Sequence, residues 1–124
     1  MEALVSKGLV RSIGVSNFNV QSLVDLLSYA KIKPTVNQVE LHPLGAQPGL
    51  VDSMKVLGVT PMAFAPTARG GGAQGLLDTD QIKKVAAVHG CSPNAVVLAW
   101  GLKRGYSIIP RSGSVGHQKE NFEA

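Results

Sequence analysis

Apolar and polar positions along the 124 residues change period several times, and each change marks a new element. Met1, Ala3, Leu4 and Val5 read as the last turns of a helix, with Gly8 placed to cap it. Leu9 to Ser16 reads as a strand, Val10, Ile13 and Val15 alternating loosely with Arg11, Ser12 and Gly14. Asn19 can cap a helix whose face is Val20, Leu23, Val24, Leu27 and Ala30. Pro34 breaks that pattern, and Thr35 to Leu41 predicts a second strand. Its interior carries Asn37, Gln38 and Glu40, an unusual load for a sheet covered on both faces. Such residues make sense where a strand faces the inside or the mouth of a barrel. Pro48 then opens a helix with Leu50, Val51, Met54 and Leu57 on its face and Gly58 at its end.

Thr60 to Pro66 predicts the third strand, followed by a glycine-rich loop from Thr67 to Gly75. Gly70, Gly71 and Gly72 are not followed by lysine and do not form a P-loop. Asp78 with Gln81 resembles a capping box for a helix through His89, closed by Gly90. Ser92 and Pro93 start another, running through Val96, Val97, Leu98 and Trp100 to Leu102, with Gly105 after it. Ser107 to Ile109 is the fourth strand, stopped by Pro110, which cannot donate to a ladder. Strand and helix alternate throughout at the spacing of one βα unit, the signature of a parallel α/β sheet.

The stretch after that last strand carries the most chemistry. Arg111 and Ser112 stand at a strand tip, and Ser114 and Gly116 lead into a polar helix start around His117 to Asn121. A cation, hydroxyls, glycines and a fresh helix N-terminus suit a phosphate, through backbone N–H groups and a forked guanidinium contact. The same residues would also serve as a solvated loop with a surface arginine, and residue types alone allow both. Parallel α/β folds place ligands at the C-terminal ends of strands, where Ser16, Asn17, Gln38, Glu40, His42 and Phe64 also lie.

Composition narrows the class. With 44% hydrophobic and 16% charged residues the chain is foldable, and its length allows one domain at most. A net charge of +4 suits an anionic small ligand, while 5% aromatic content and the lack of a basic run argue against nucleic acid or anionic membrane. Cys91 is the single cysteine, so an internal disulfide is excluded and a reducing cytosol is the default compartment. His42, His89 and His117 lack metal-ligand spacing, so no metal site is expected. Glu2 and Lys7 interrupt any leader-like apolar core, and no apolar run reaches spanning length.

The segments G-L-V-R-S-I-G-V-S-N-F (8–18), V-N-Q-V-E-L-H-P (36–43), A-F-A-P (63–66), G-L-L-D (75–78), I-P-R-S (109–112) and E-N (120–121) resemble, in order, those of the aldo-keto reductases. The resemblance implies an NADPH-dependent (β/α)8 barrel of TIM type, of which residues 1–124 would be the second half, about strands five to eight. By the same resemblance Ser16, Asn17 and Gln38 would hold the nicotinamide carboxamide. Phe64 would stack on the ring where the family usually has tyrosine, a change that keeps the stacking face. Arg111 and Ser112 would bind the adenosine 2′-phosphate, arginine adding a fork where lysine is common. Glu120 and Asn121 would meet the adenine. His117 stands where the family usually has an arginine that packs on adenine and helps hold the 2′-phosphate. Ala65, Thr67 and Gly113 are further departures, from serine, leucine and valine.

Bland roles exist for several of these residues. Ser16 and Asn17 could turn the chain and cap a helix, Phe64 could be core, and Glu120 beside Lys119 could be solvated surface. His42 before Pro43 reads as structural, and Trp100 as a helix residue packing on the barrel wall. The family's catalytic tyrosine, lysine, aspartate and histidine belong to the other half of the barrel, so no catalytic residue is assigned here. Tyr29 falls on a helix face and Tyr106 at the N-terminal end of the last strand. The implied function is therefore the cofactor-binding half of an NADPH-dependent carbonyl reductase acting on a small-molecule carbonyl. The alternative is a non-catalytic module that binds nucleotide or protein. A weaker third reading is another phosphate-binding barrel. A half-barrel would also have open edges, and self-association through them is expected.

Overall fold

The computed structural model describes residues 1–68 and 75–124, so the run expected at Gly70, Gly71 and Gly72 lies outside the described residues. Among the described residues there are four strands: β1 (Val15–Ser16), β2 (Val36–Glu40), β3 (Thr60–Phe64) and β4 (Ser107–Ile108). They are hydrogen-bonded in the order β1-β2-β3-β4, and β1 runs parallel to β2 with Val15 opposite Asn37 and Ser16 opposite Gln38. The helices are α1 (Glu2–Ser6), α2 (Val20–Tyr29), α3 (Pro48–Leu57), α4 (Asp80–His89), α5 (Pro93–Lys103) and α6 (Val115–Glu123), with a 3-10 turn at Leu76–Asp78. The expected parallel α/β arrangement is what the structure shows.

The chain forms two compact units. The first comprises Met1–Val39 with Gln47–Met62. Its buried side chains include Leu23 from α2, Val39 from β2, Val51 and Met54 from α3, and Val59. Each such aliphatic side chain contributes roughly 1.5–3 kcal/mol by leaving water. The second comprises Glu40–Ala46 with Ala63–Ala124. There Ala68, Leu76 and Val97 form a buried cluster against which Leu77 and Ile82 pack.

Helix ends follow their local signals closely. The Asn19 side chain accepts from the Ser22 N–H at 2.8 Å, and Ser92 Oγ accepts from the Ala95 N–H at 3.1 Å. Pro48 and Pro93 occupy first turns, and Gly58 and Gly90 close α3 and α4 in the left-handed region. One start was misplaced. α4 begins after Thr79, not at a box formed by Asp78 and Gln81, because the preceding residues wind into the 3-10 turn. Thr79 Oγ1 donates back to the Leu76 carbonyl at 2.9 Å, so it does not cap forward, and Asp78 pairs instead with Lys83 at 3.3 Å. α6 likewise starts at Val115, two residues before His117.

Strand lengths differ more. The expected strand from Leu9 to Ser16 contracts to Val15 and Ser16, the residues that find partners on β2. Leu9 is 69% exposed, and its N–H donates to the Leu4 carbonyl at the end of α1. β3 stops at Phe64 instead of Pro66 because Ala65 takes φ +44°, which no strand residue adopts. β4 ends one residue early, although the Ile109 N–H still donates to the Ala63 carbonyl. The helical face expected on α2 is also narrower. Leu23 is fully buried while Val24 is 53% exposed.

Candidate functional site

In the first unit the register of β1 on β2 brings Ser16, Asn17 and Gln38 together. Ser16 Oγ donates to the Gln38 carbonyl at 2.8 Å, and Asn17 Nδ2 donates to Ser16 Oγ at 3.2 Å. The Asn17 N–H reaches the same Gln38 carbonyl at 2.9 Å. Asn17 sits at φ +58°, a conformation asparagine tolerates better than other side-chain-bearing residues. Gln38 Nε2 rests against Met62 Sδ at 3.5 Å. Two amide heads and a hydroxyl are thus concentrated where the end of β1 meets the middle of β2. That donor and acceptor set matches a carboxamide.

Sequence reasoning missed the residue that organises this cluster. Asn37 is fully buried in β2, and its side chain clips the segment after Asn17. Its Nδ2 donates to the Phe18 carbonyl at 2.8 Å, and its Oδ1 accepts from the Phe18 N–H at 3.3 Å. The left-handed turn at Asn17 is therefore held from below by a side chain in the adjoining strand. A signal existed: Asn37 shares strand parity with Val39, which is buried. A polar residue on the buried face must be satisfied, and here the satisfaction is the site's scaffold.

In the second unit an open pocket of about 640 Å³ is lined by Arg111, Ser112, His117, Glu120 and Asn121, together with residues of the loop after β3 and the 3-10 turn. Five of the nine residues assigned to cofactor binding thus line one cavity. Ser112 Oγ accepts from the Ser114 N–H at 3.0 Å, which shapes the loop leading into α6. Gln118 fastens the same loop by donating to the Ser112 carbonyl at 3.1 Å. The first helical bond runs from the Gln118 N–H to the Ser114 carbonyl, so the N–H groups of Val115 to His117 belong to the unpaired first turn. Arg111 and His117 are exposed side chains that line the pocket beside that turn. Gly113 has open space where a Cβ would stand. A guanidinium, an imidazole, a hydroxyl and helix-end N–H groups fit a phosphate.

Asn121 is anchored from α5, its Oδ1 accepting from Asn94 Nδ2 at 2.9 Å. The bond ties the Asn121 side chain to α5. Asn94 also lines this pocket, and no local sequence signal marked it, because the contact spans 27 residues. Phe64 is half-buried at the end of β3 and is not among the residues lining this pocket.

His42 is 6% exposed, with Nε2 at 3.2 Å from Glu40 Oε1. It closes a turn in which the Gly45 N–H donates to the His42 carbonyl. A Cβ on Gly45 would stand 2.8 Å from the imidazole, so glycine is needed there for the ring to lie against the turn. This is the structural role expected of it. Tyr29 is 68% exposed on α2. Tyr106 is buried edge-on against Trp100 at 5.8 Å, and Arg104 lies 4.7 Å over the Trp100 ring. Among the described residues no group of three His, Cys, Asp or Glu side chains is placed to hold a metal, and no single helix is long and apolar enough to cross a membrane.

These features define a parallel α/β protein with a polar pocket beyond its last strand, and comparison with known proteins says which kind. The profile of the Aldo/keto reductase family matches residues 1–124. Aldose reductase B of Dictyostelium discoideum is 47% identical over 122 residues, covering 98% of this chain and 39% of that protein. The solved aldose reductase of Giardia lamblia superposes with a TM-score of 0.92 at 40% identity, covering 99% of this chain and 42% of that one. An aldo-keto reductase of Bombyx mori, solved in complex with NADP, gives 0.90 at 30% identity over 99% of this chain and 42% of that one. The chain belongs to the aldo/keto reductase family, and its fold matches the (β/α)8 barrels of these neighbours. It spans about two-fifths of the length of the relatives it matches.

Proposed function

We propose that this chain is the NADPH-binding part of a carbonyl reductase that acts on small aldehydes or ketones. The observation that carries the reading is the pocket of the second unit, which gathers Arg111, Ser112, His117, Glu120 and Asn121. Arg111, Ser112 and the first turn of α6 would hold the 2′-phosphate of the adenosine, and Glu120 and Asn121 would face the adenine. In the first unit, Ser16, Asn17 and Gln38 would hold the nicotinamide carboxamide and so fix which face of the ring is presented. Phe64 would supply the stacking surface. NADPH, when bound, supplies a hydride for a carbonyl carbon. The chain's own residues bind and orient. None of its tyrosines is offered as proton donor, since Tyr29 lies exposed on a helix and Tyr106 is packed against Trp100.

The reading includes a cytoplasmic setting, consistent with the exposed free thiol of Cys91. A second reading, a non-catalytic nucleotide-binding module, draws on the same pocket together with the placement of both tyrosines. Fluorescence titration of the chain with NADPH and with NADH tests the common part. Saturable binding that favours NADPH is expected. Indifference between the two cofactors would remove the 2′-phosphate assignment, and binding without turnover of any aldehyde by the full-length protein would favour the second reading.

A further inference from the structure

We propose that Asn37, itself fully buried, is a positioning residue for the nicotinamide end of the cofactor: it locks the Asn17 turn into its binding shape before the cofactor arrives. This rests on the reading of Ser16, Asn17 and Gln38 as a carboxamide site, and every residue involved belongs to the first unit. Ser16 and Asn17 are exposed, and Asn17 holds φ +58°, a left-handed conformation that is costly for a residue with a side chain. An exposed turn of that kind fluctuates unless neighbouring groups hold it. Here two adjacent residues of β2 do so. The Gln38 carbonyl accepts from the Asn17 N–H at 2.9 Å and from Ser16 Oγ at 2.8 Å. The Asn37 side chain takes both backbone groups of the next residue, donating to the Phe18 carbonyl at 2.8 Å and accepting from the Phe18 N–H at 3.3 Å. The backbone is thus bonded on both sides of the point where the Asn17 side chain emerges.

Strand parity separates the two roles. Asn37 and Gln38 are consecutive, so their side chains leave β2 on opposite faces. Gln38 is half-buried and carries its amide to the face where the carboxamide would lie, while Asn37 carries an identical group into the interior. A buried amide must be paired. Pairing this one with residue 18 fixes the backbone that aims Asn17. Only an amide of this length offers a donor and an acceptor side by side; a serine hydroxyl can satisfy one Phe18 group and alanine neither. A turn ordered in advance binds more tightly than one that must be ordered on contact. The gain is confined to the end of the cofactor that Asn17 meets.

The test is calorimetric titration of the chain with NADPH and with 2′-phospho-ADP-ribose, which lacks only the nicotinamide. The ratio of the two affinities reads the nicotinamide end alone. In Asn37→Ala the advantage of NADPH should fall by about three- to tenfold, the net contribution of one or two hydrogen bonds, and in Asn37→Ser by less. Affinity for 2′-phospho-ADP-ribose should stay the same. Val51→Ala, which opens a cavity under α3 in the same unit, controls for lost stability and should keep the wild-type ratio. The proposal is overturned if the ratio survives in Asn37→Ala, or if Val51→Ala lowers it equally; the carboxamide site stands in either case. Hydrogen exchange of the wild-type chain decides where a variant does not fold. The Phe18 N–H should be protected at least about tenfold without ligand and gain little from NADPH. Free exchange until NADPH is added would overturn the role of Asn37. If wild type binds both ligands equally, the carboxamide assignment falls and the role of Asn37 with it.

Discussion

Replacing Arg111 by alanine removes the one permanently charged cation that lines the second unit's pocket. A charge-assisted hydrogen bond to phosphate is worth roughly 1.5–3 kcal/mol when well sheltered. Arg111 is exposed at an open pocket, so solvent screening brings the expected loss to about 1–2 kcal/mol. That is about a five- to thirtyfold rise in the NADPH dissociation constant. NADH lacks the phosphate and should change little. The assay is a fluorescence titration with both cofactors, repeated at two salt concentrations, since screening should shrink the NADPH effect and leave NADH alone. Arg111→Lys should recover part of the loss, keeping the charge and giving up the fork. Equal losses for NADPH and NADH would refute the reasoning. The residue would then be acting on loop structure or on groups common to both cofactors.

Other consequences follow from packing. Asn37→Ala should cost about 2–3 kcal/mol in urea denaturation, because it strands the Phe18 N–H and carbonyl that the buried amide satisfies; a cost below about 0.5 kcal/mol would show the clip is dispensable. Gly14→Ala would place a Cβ 2.5 Å from Val36 Cγ2 and 2.9 Å from the Val36 carbonyl oxygen, so a loss of about 1–3 kcal/mol is expected from thermal melts, and an unchanged melting temperature would contradict the close approach. Ser92→Ala should destabilise by about 1 kcal/mol through loss of the cap on α5, with Ser92→Asp retaining most of it. Size-exclusion chromatography should show self-association, since Val56 at 88% and Phe122 at 93% exposure are among several large apolar side chains left in water; a sharp monomer peak across concentrations would count against it.

Most of what depends on a few consecutive residues is legible in the sequence. The caps at Asn19 and Ser92, the prolines opening α3 and α5, and the glycines closing α3 and α4 act within one turn, so their effect is local. The apparent capping box at Asp78 and Gln81 shows the limit of that logic. A 3-10 turn, packed through Leu76 and Leu77 into the Ala68, Leu76 and Val97 cluster, moved the helix start to a residue with no forward cap. Strand extent was the least legible feature, because a strand ends where its neighbour stops offering a ladder and not where its own alternation fades. Leu9 to Gly14 had the pattern of a strand, but the paired register covers only Val15 and Ser16, with the Ile13 carbonyl accepting from the Thr35 N–H just before β2.

The sequence by itself determined the alternation of strand and helix, the family, and the residue types available for a dinucleotide. Those are properties of composition, periodicity and short motifs. Tertiary structure alone decided which of them meet. It bonded Asn37 to Phe18 across 19 residues and tied Asn94 to Asn121 across 27. It also drew Arg111, His117 and Glu120 around one cavity while leaving Phe64 off its lining. The physical reason is that hydrogen bonding and burial act through space, and the satisfaction of a buried amide or the charge of a pocket is a sum over neighbours the chain brings together only on folding.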